Sequence, residues 1–240
     1  MNFIKKLVLQ LSGALLRDGG CKVLFYHDIF VDTQYTAMGT PLPLFQRHLE
    51  TIEENGFTVV SKIANDKREV QICLDDGFRG IWDCRSLWDS LPWRPTVFLA
   101  VELVGQEGYL EREQIIELAR DGFIFQSHGW SHRPLTEFTG ELLVKETAAS
   151  KKWLEELLGC EVTEICFPIG NFSEEVLNAC RDAGYRRMYS SIPGNYSSQV
   201  FPDVIRRNLV QSYDGDELKA VLHGGLAPFA SRYFRMHFQK

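Results

Sequence analysis

Short apolar runs recur along this chain, separated by longer stretches in which apolar residues repeat with helical spacing. Runs of four to seven residues rich in Val, Ile, Leu and Phe are typical of buried strands. The pattern predicts strands at Lys22–Tyr26, Phe57–Val60, Val70–Leu74, Thr96–Val101, Phe123–Gln126, Glu164–Phe167, Arg187–Ser190 and Val204–Val210.

Helical periodicity fills most of the stretches between these runs. Glycine follows several of the predicted helices, as expected at helix C-termini. The predicted helices are Leu44–Asn55, Gly80–Asp89, Glu111–Asp121, Gly140–Leu158, Glu174–Ala183 and Asp216–His223. Alternating strands and helices predict an α/β fold with a parallel sheet. Seven or eight such units favour a barrel over an open sheet, although periodicity alone does not exclude the open sheet.

The two ends of the chain have patterns of their own. Residues 1–20 place Leu7, Leu11, Ala14 and Leu15 on one helical face, which predicts an N-terminal amphipathic helix. Residues 225–240 form a tail of aromatic and basic side chains, which either packs on the protein or contacts a membrane surface. No apolar run reaches the ~18 residues of a membrane span. We therefore expect a single domain over residues 1–240, with peripheral membrane contact through the termini as a further hypothesis.

Composition narrows the class of protein. Hydrophobic residues make up 45% and charged residues 24% of the 240 residues, as in globular proteins. The net charge of −6, without a strong basic patch, argues against a nucleic-acid partner. The six cysteines show no C-x-x-C spacing and lie mostly in apolar runs, which is typical of reduced, buried thiols. These features favour a cytoplasmic protein, and they predict no particular oligomeric state.

Two segments place ionisable side chains directly after predicted strands. Asp75 and Asp76 follow one apolar run, and His128 and His132 follow another. Active sites of α/β proteins are assembled at such strand ends. One carboxylate and two histidines can bind a metal that activates water, and the second carboxylate is then a candidate base. We expect the neighbouring carboxylates to project to opposite sides and a helical turn to place both histidines on one face. An ordinary Asp-Asp-Gly turn and two solvated loop histidines are the alternatives.

Other strand ends supply further candidates. His27 follows the first strand and can protonate a leaving group, unless it is a structural histidine. In Phe167-Pro168-Ile169-Gly170, the Ile169 N–H is a candidate oxyanion donor, although an ordinary strand-to-helix turn fits the spacing equally well. The aromatic face of Trp130 can stack on a sugar ring or pack at the rim of the site. His223 falls in a predicted helix, and we expect it to be structural.

Taken together, these motifs resemble those of the polysaccharide deacetylase family, also called the NodB-homology or carbohydrate esterase 4 family. The resemblance runs from about Lys22 to about Val210. The early Tyr26-His27 is similar to the branch in which the motif order is rearranged and the acid histidine lies near the N-terminus. The other matching segments are Leu74-Asp75-Asp76-Gly77-Phe78, Ser127-His128-Gly129-Trp130-Ser131-His132 and Phe167-Pro168-Ile169-Gly170-Asn171-Phe172-Ser173.

The resemblance implies a distorted (β/α) barrel of about seven parallel strands and the hydrolytic removal of acetyl groups from N-acetylated sugars. It implies that Asp75 is the general base, His27 the acid and the Ile169 N–H an oxyanion donor. A divalent metal ion, most commonly Zn²⁺, would be held by Asp76, His128 and His132. The carbohydrate substrate would contact Trp130, Phe167, Pro168 and Gly170.

Two departures from the family pattern leave alternatives open. Cys166 stands where many members carry an arginine that steadies the base, and a late Leu222-His223 pair lies in a predicted helix. One alternative is a non-catalytic carbohydrate-binding protein on the same fold. Another is an amide hydrolase that acts on a non-polymeric sugar. For an active enzyme, a precursor of lipopolysaccharide, capsule or glycolipid fits the short chain and the expected cytoplasmic setting.

Overall fold

The strands of this protein are short, and most of them lie side by side in one sheet. The computed structural model describes residues 3–198 and 201–239. Its strands are β1 (Lys22–Tyr26), β2 (Asp28–Phe30), β3 (Gly39–Pro41), β4 (Thr58–Val60), β5 (Glu69–Asp76), β6 (Thr96–Leu99), β7 (Ile124–Ser127), β8 (Glu164–Cys166), β9 (Phe172–Ser173), β10 (Arg187–Tyr189), β11 (Val204–Ile205), β12 (Asn208–Leu209) and β13 (Phe238–Gln239).

Helices connect most of these strands. They are α1 (Phe3–Leu16), α2 (Leu42–Glu54), α3 (Gly80–Asp83), α4 (Arg85–Asp89), α5 (Arg112–Arg120), α6 (Gly140–Val144), α7 (Ser150–Leu158), α8 (Glu174–Asp182), α9 (Gly215–Leu222) and α10 (Ala230–His237). A π-helical segment, Lys145–Ala149, joins α6 to α7, so the predicted helix over Gly140–Leu158 is continuous but locally widened.

The large sheet curls into a barrel. Its strand order is β11-β10-β8-β7-β6-β5-β1-β12, and all the paired strands run parallel. β4 pairs with β5 at Glu69 to Gln71. β6 pairs with the same edge of β5 at Cys73 to Asp76. The first and last strands of this order, β11 and β12, are consecutive in the chain, with only Arg206 and Arg207 between them. The order therefore returns on itself, and the predicted distorted (β/α) barrel of about seven parallel strands is confirmed.

The elements depart from the sequence pattern where the chain bends sharply. Val204–Val210 forms two strands instead of one, and Gly80–Asp89 is divided into α3 and α4 at Cys84. The pattern does not predict β2, β3, β9 and β13, since two or three residues carry no measurable period. The C-terminal tail contains α10 and β13, and β13 pairs with β9.

Alternate residues of the barrel strands face its inside and its outside. In β1, Val23 and Phe25 point into the barrel, whereas Leu24 and Tyr26 join the larger core beneath the helices. The interior cluster consists of Val23, Phe25, Cys73, Phe98, Cys166, Tyr189 and Ile205. The Arg207 guanidinium packs over the Phe25 and Phe98 rings of this cluster, so the cluster lies directly beneath a buried charge.

Caps and close helix contacts fix the elements around the barrel. Ser173 accepts from the Val176 N–H at 3.3 Å and caps α8, as its position before two glutamates predicts. α1 packs on α9 at Gly13, where an added Cβ would lie 2.7 Å from the Ala220 carbonyl oxygen.

None of the described helices is long and apolar enough to cross a membrane.

Candidate metal and active site

Asp75 and Asp76 end β5 and lie in one cavity at the carboxyl ends of the barrel strands. Each residue is only 3% exposed. Asp76 has a φ of 73° and Gly77 a φ of 82°, so the chain turns sharply at this point. Both carboxylates line a cavity of about 290 Å³, which His27 also lines. The expectation that the two side chains project to opposite sides is wrong, because Asp76 leaves the extended conformation.

Asp76, His128 and His132 bring three metal-binding atoms together. Asp76 Oδ1 lies 3.2 Å from His128 Nε2 and 2.9 Å from His132 Nε2. These contacts lack hydrogen-bond geometry, and Asp76 Oδ1 is a buried oxygen with no hydrogen-bond partner among the described residues. Two imidazoles and a carboxylate whose atoms meet in this way are the donor set of a divalent cation. The three residues therefore fit a metal ion.

A tight loop holds the two histidines, and the helical turn that their spacing predicts is absent from this described segment. Gly129 and His132 both have positive φ, 77° and 61°. Glu146, in the π-helical segment, accepts from the Trp130 N–H at 2.9 Å and from the Ser131 N–H at 3.0 Å. A buried carboxylate far along the chain thus orients the loop. The sequence does not reveal this role, because Glu146 lies inside an ordinary helical repeat.

The backbone fixes the tautomer of His128. Its Nδ1–H donates to the Cys166 carbonyl oxygen at 2.9 Å, since a carbonyl can only accept. In the neutral imidazole, Nε2 is therefore the nitrogen with the lone pair, and it faces Asp76. Burial lowers the pKa of His132, but the Asp76 carboxylate outweighs burial and the pKa lies above its ordinary value. A metal ion bound at this site would therefore compete with protons for His132.

Arg207 holds the second carboxylate. Its Nη1 and Nη2 donate to Asp75 Oδ1 and Oδ2 at 2.7 and 2.9 Å. Burial alone would raise the pKa of the Asp75 carboxyl, but the Arg207 guanidinium reverses this effect and keeps the pKa below its ordinary value. Arg207 Nη2 also lies 2.8 Å from Cys166 Sγ. Cys166 stands where the family resemblance implies an arginine. Arg207, between β11 and β12, places a guanidinium beside it. An Arg-Arg pair inside a predicted strand is the sequence signal that could have revealed it.

Three histidines outside the metal motif differ in their distance from this cavity. His27 lines it, and its Nδ1–H donates to Gln211 Oε1 at 2.7 Å, which leaves Nε2 to exchange a proton. His223 does not line the cavity, and its Nε2 lies 3.4 Å from Asn55 Oδ1. His237 of α10 lines the cavity although no motif surrounds it in the sequence. Geometry therefore leaves His27 and His237, and not His223, within reach of a bound substrate.

The segment after β8 presents a backbone donor at the cavity. Ile169 has a φ of 60°, an unusual value for a β-branched residue, and is 61% exposed. Its N–H has no hydrogen-bond partner within the described part of the chain. A backbone N–H without a protein acceptor at the edge of a cavity can serve as an oxyanion donor. Phe167 and Gly170 line the cavity together with Ile169.

Two of the expected substrate contacts lie away from the cavity lining. Pro168 is buried, and its Cγ would lie 3.5 Å from a Cβ added at Gly129. The Trp130 indole N–H donates to Glu102 Oε1 at 2.9 Å, and Lys145 Nζ lies 5.0 Å from the centre of its ring. Contact of Trp130 or Pro168 with a substrate stays a prediction.

Comparison with known proteins places these residues in a family context. The model of the family described as Polysaccharide deacetylase matches residues 62–188. This span contains both carboxylates, both histidines of the metal site and Ile169. His27 and Arg207 lie outside it, so their roles rest on the geometry described above.

Sequence and structural relatives agree with this match. YxkH of Bacillus subtilis (strain 168), named as a candidate polysaccharide deacetylase, is 26% identical over 183 residues, which cover 72% of this chain and 64% of the relative. A polysaccharide deacetylase from Bacillus cereus superimposes with a TM-score of 0.73 and 21% identity, covering 85% of this chain and 69% of that one. The Streptococcus pyogenes deacetylase PplD, solved in complex with acetate, gives a TM-score of 0.75 and 18% identity, covering 85% and 98%.

At sequence identities of 18–21%, the similarity to these solved structures shows the fold alone. The match to the family model shows the family. The alignment spans less than two thirds of the Bacillus subtilis relative. The family match covers more than half of this chain and includes Asp75, Asp76, His128, His132 and Ile169 of the cavity. The predicted resemblance is therefore confirmed at the level of the family, whereas the branch with an N-terminal acid histidine stays a prediction. The chain belongs to the polysaccharide deacetylase family.

Proposed function

We propose that this protein is a metal-dependent hydrolase that removes acetyl groups from N-acetylated sugars. One observation carries the proposal: Asp76 Oδ1 and the Nε2 atoms of His128 and His132 converge beside a buried carboxylate, Asp75, whose pKa is kept low. The substrate we propose is a sugar unit of a polysaccharide, a lipopolysaccharide or a glycolipid precursor.

The metal ion would be held by Asp76, His128 and His132. Zn²⁺ is the leading candidate, because two imidazoles and one carboxylate are a common zinc donor set. When bound, the ion supplies Lewis-acid activation of water and of the acetamide carbonyl. The hydrogen bond from His128 Nδ1 to the backbone supports this assignment, since metal-binding histidines normally donate their second N–H in this way.

Asp75 is the proposed general base. Its carboxylate takes a proton from the attacking water, and both of its oxygens are oriented by Arg207. The guanidinium keeps Asp75 ionised despite burial, so the base is in its reactive form at neutral pH.

Two groups at the rim of the cavity act on the developing negative charge and on the leaving amine. The Ile169 N–H donates to the oxygen of the tetrahedral intermediate, and no protein acceptor among the described residues competes for it. His27 transfers a proton from Nε2 to the departing amine, while Gln211 fixes its ring through Nδ1.

A non-catalytic carbohydrate-binding protein is the second candidate, and Cys166 is the observation in its favour. The thiol stands where the family resemblance implies an arginine, and it cannot steady a carboxylate as an arginine does. Arg207 weakens this argument, because its guanidinium contacts both Asp75 and Cys166.

Metal analysis combined with acetate release tests the proposal. Purified protein should contain about one divalent ion per chain and release acetate from members of a panel of N-acetyl sugars, both free and carrier-linked. Asp75→Asn should retain the ion and lose acetate release, whereas Asp89→Asn, an exposed control, should keep both. Sugar binding without acetate release in metal-loaded protein would instead favour the non-catalytic candidate. Release from free sugars alone would favour a non-polymeric substrate.

A further inference from the structure

Helix α1 turns its apolar face away from the protein. Phe3, Leu7, Leu11 and Leu15 share one side of this helix, and they are 78%, 46%, 54% and 82% exposed. An amphipathic helix of a globular protein normally buries this face against the core. Contiguous exposed apolar side chains instead mark a surface that contacts another molecule or a membrane.

Packing fixes α1 in this orientation. Leu9 is buried, and Gly13 lies so close to α9 that an added Cβ would approach its backbone within 2.7 Å. Lys6 Nζ contacts Asp214 at 2.6 Å and Glu217 at 3.4 Å. Rotating the helix to bury its apolar face would break these contacts, so the exposed face is a stable feature of the fold.

The charges of the chain are divided between its ends and its middle. Residues 1–17 and 218–240 together contain seven Lys and Arg residues and no Asp or Glu. The intervening residues contain 19 Lys and Arg and all 32 Asp and Glu. The two ends are therefore rich in cations along the sequence, although the whole chain carries a net charge of −6. In the fold, Asp214 and Glu217 pair with Lys6, whereas no ion pair involves Arg17, Arg232 or Arg235 among the described residues.

The two ends of the chain lie against each other. Lys5 Nζ donates to the Tyr233 hydroxyl at 3.2 Å and lies 5.7 Å from the centre of the Phe229 ring. The start of α1 thus contacts α10 and the turn before it. We define the terminal face as the apolar side chains of α1 and three exposed arginines at these ends: Phe3, Leu7, Leu11, Leu15, Arg17, Arg232 and Arg235.

We propose that the terminal face docks onto the surface of a bilayer that contains anionic lipid. Apolar side chains of an interfacial helix insert at the level of the headgroups, while cations beside them contact lipid phosphates. The terminal face combines these two features and carries no acidic residue. A second copy of this chain fits the face poorly, because pairing two terminal faces would bring like charges together.

Helix α10, which carries two arginines of the terminal face, also borders the catalytic cavity. Tyr233 and His237 of α10 line that cavity. A second cavity of about 340 Å³ is lined by Lys5 of α1 and shares Ser191, Leu209 and Tyr233 with the first. Because three residues border both cavities, the cavities are neighbours, and the second one lies beside α1. Resting on the proposed deacetylase function, this arrangement fits an N-acetylated sugar whose lipid remains in the docked bilayer.

Vesicle sedimentation tests the docking directly. The full chain should sediment with vesicles of phosphatidylglycerol and phosphatidylcholine, and binding should weaken with phosphatidylcholine alone or at high salt. The double variant Leu11→Glu/Leu15→Glu should lower partitioning at least tenfold. Leu142→Glu/Val144→Glu is the matched control, because these α6 residues are 61% and 55% exposed outside the terminal face. Equal binding of the two double variants would overturn the proposal.

Sedimentation velocity without lipid separates docking from self-association. The wild type and both double variants should be monomeric at the same concentration, with unchanged unfolding midpoints because the altered side chains are exposed. A stable dimer that Leu11→Glu/Leu15→Glu dissociates would show that the terminal face binds a second copy, and would overturn membrane docking.

Acetate release separates this proposal from the proposed function. With a soluble N-acetylglucosamine oligomer, Leu11→Glu/Leu15→Glu should retain wild-type activity. With an N-acetylated glycolipid in the same vesicles, this variant should lose at least tenfold while the α6 control does not. Vesicle binding without acetate release from either substrate would refute the hydrolase and leave docking intact. Acetate release without vesicle binding would refute docking alone.

Discussion

Replacing Arg207 with methionine should destabilise the fold. The guanidinium makes two hydrogen bonds to Asp75, at 2.7 and 2.9 Å, and the two residues are 1% and 3% exposed. Removing one partner of a buried ion pair leaves the other charge uncompensated, which costs about 3–5 kcal/mol of unfolding free energy. Methionine preserves most of the apolar contact with Phe25, whose ring centre lies 4.1 Å from the guanidinium carbon. The expected loss is therefore mainly electrostatic.

The same replacement should change how activity depends on pH. Burial raises the pKa of Asp75, and the Arg207 guanidinium is the first of the groups that oppose it. Without Arg207 the pKa rises, so more of the base is protonated at neutral pH and acetate release falls. The acidic limb of the pH–rate profile should move to higher pH. At a fixed pH on that limb, the rate should fall about tenfold for each unit by which the pKa of Asp75 rises. Activity should recover in part as the pH rises above 7.

Denaturant unfolding and acetate release between about pH 5 and 9 measure both effects. Arg207→Lys should restore only part of each, because an ammonium group cannot bind both carboxylate oxygens as the guanidinium does. Arg206→Met is the matched control, since Arg206 makes no contact with Asp75 in the described structure. Asp75→Asn/Arg207→Met should regain stability because both charges are gone. An unchanged unfolding free energy and an unmoved acidic limb in Arg207→Met would refute the reasoning.

Three further predictions concern the metal, the acid and a buried carboxyl. Zn²⁺ at about 100 times its dissociation constant should raise the unfolding free energy by about 2.7 kcal/mol. Asp76→Ala should abolish this increase when denaturant unfolding is measured with and without Zn²⁺. His27→Ala should lower kcat by about 10²–10⁴-fold and His223→Ala should not; loss in His237→Ala instead of His27→Ala would transfer the acid role to α10. Asp28 is fully buried, and burial raises its pKa to about 7, so the unfolded chain loses this proton first. The unfolding free energy should therefore fall between about pH 4 and 7 by up to about 4 kcal/mol; Asp28→Asn should lack this slope in pH-dependent denaturation, and an equal slope in both proteins would contradict the assignment.

Local patterns predict most of the barrel and bring together the residues of the candidate metal site. A run such as Val70–Leu74 is apolar on both faces because a parallel strand is covered on both, so its position can be inferred without the tertiary structure. Asp76, His128 and His132 follow such runs, and parallel strands bring their carboxyl ends to one edge. The sequence therefore predicts that these three residues meet. It does not predict how, because the positive φ of Asp76 and of His132 replaces the expected alternation and helical turn.

Contacts between distant segments could not be predicted in this way. Arg207 binds Asp75 across 132 positions of the chain, and Glu146 orients the histidine loop from a helix that otherwise repeats normally. His237 reaches the cavity through a terminal helix with no motif around it. Each of these side chains has an ordinary local environment in the sequence, and its role arises from the partner that folding places beside it.

The amino-acid sequence by itself determined the alternation of strands and helices, the family and the residues of the candidate metal site, since these depend on periodicity and on short motifs. The tertiary structure decided that Arg207 contacts both Asp75 and Cys166, and that α1 presents its apolar side to the surroundings. The reason is that periodicity states which residues share a face of a helix or strand. Only the close packing of Gly13 on α9 and the ion pairs of Lys6 determine which way that face points.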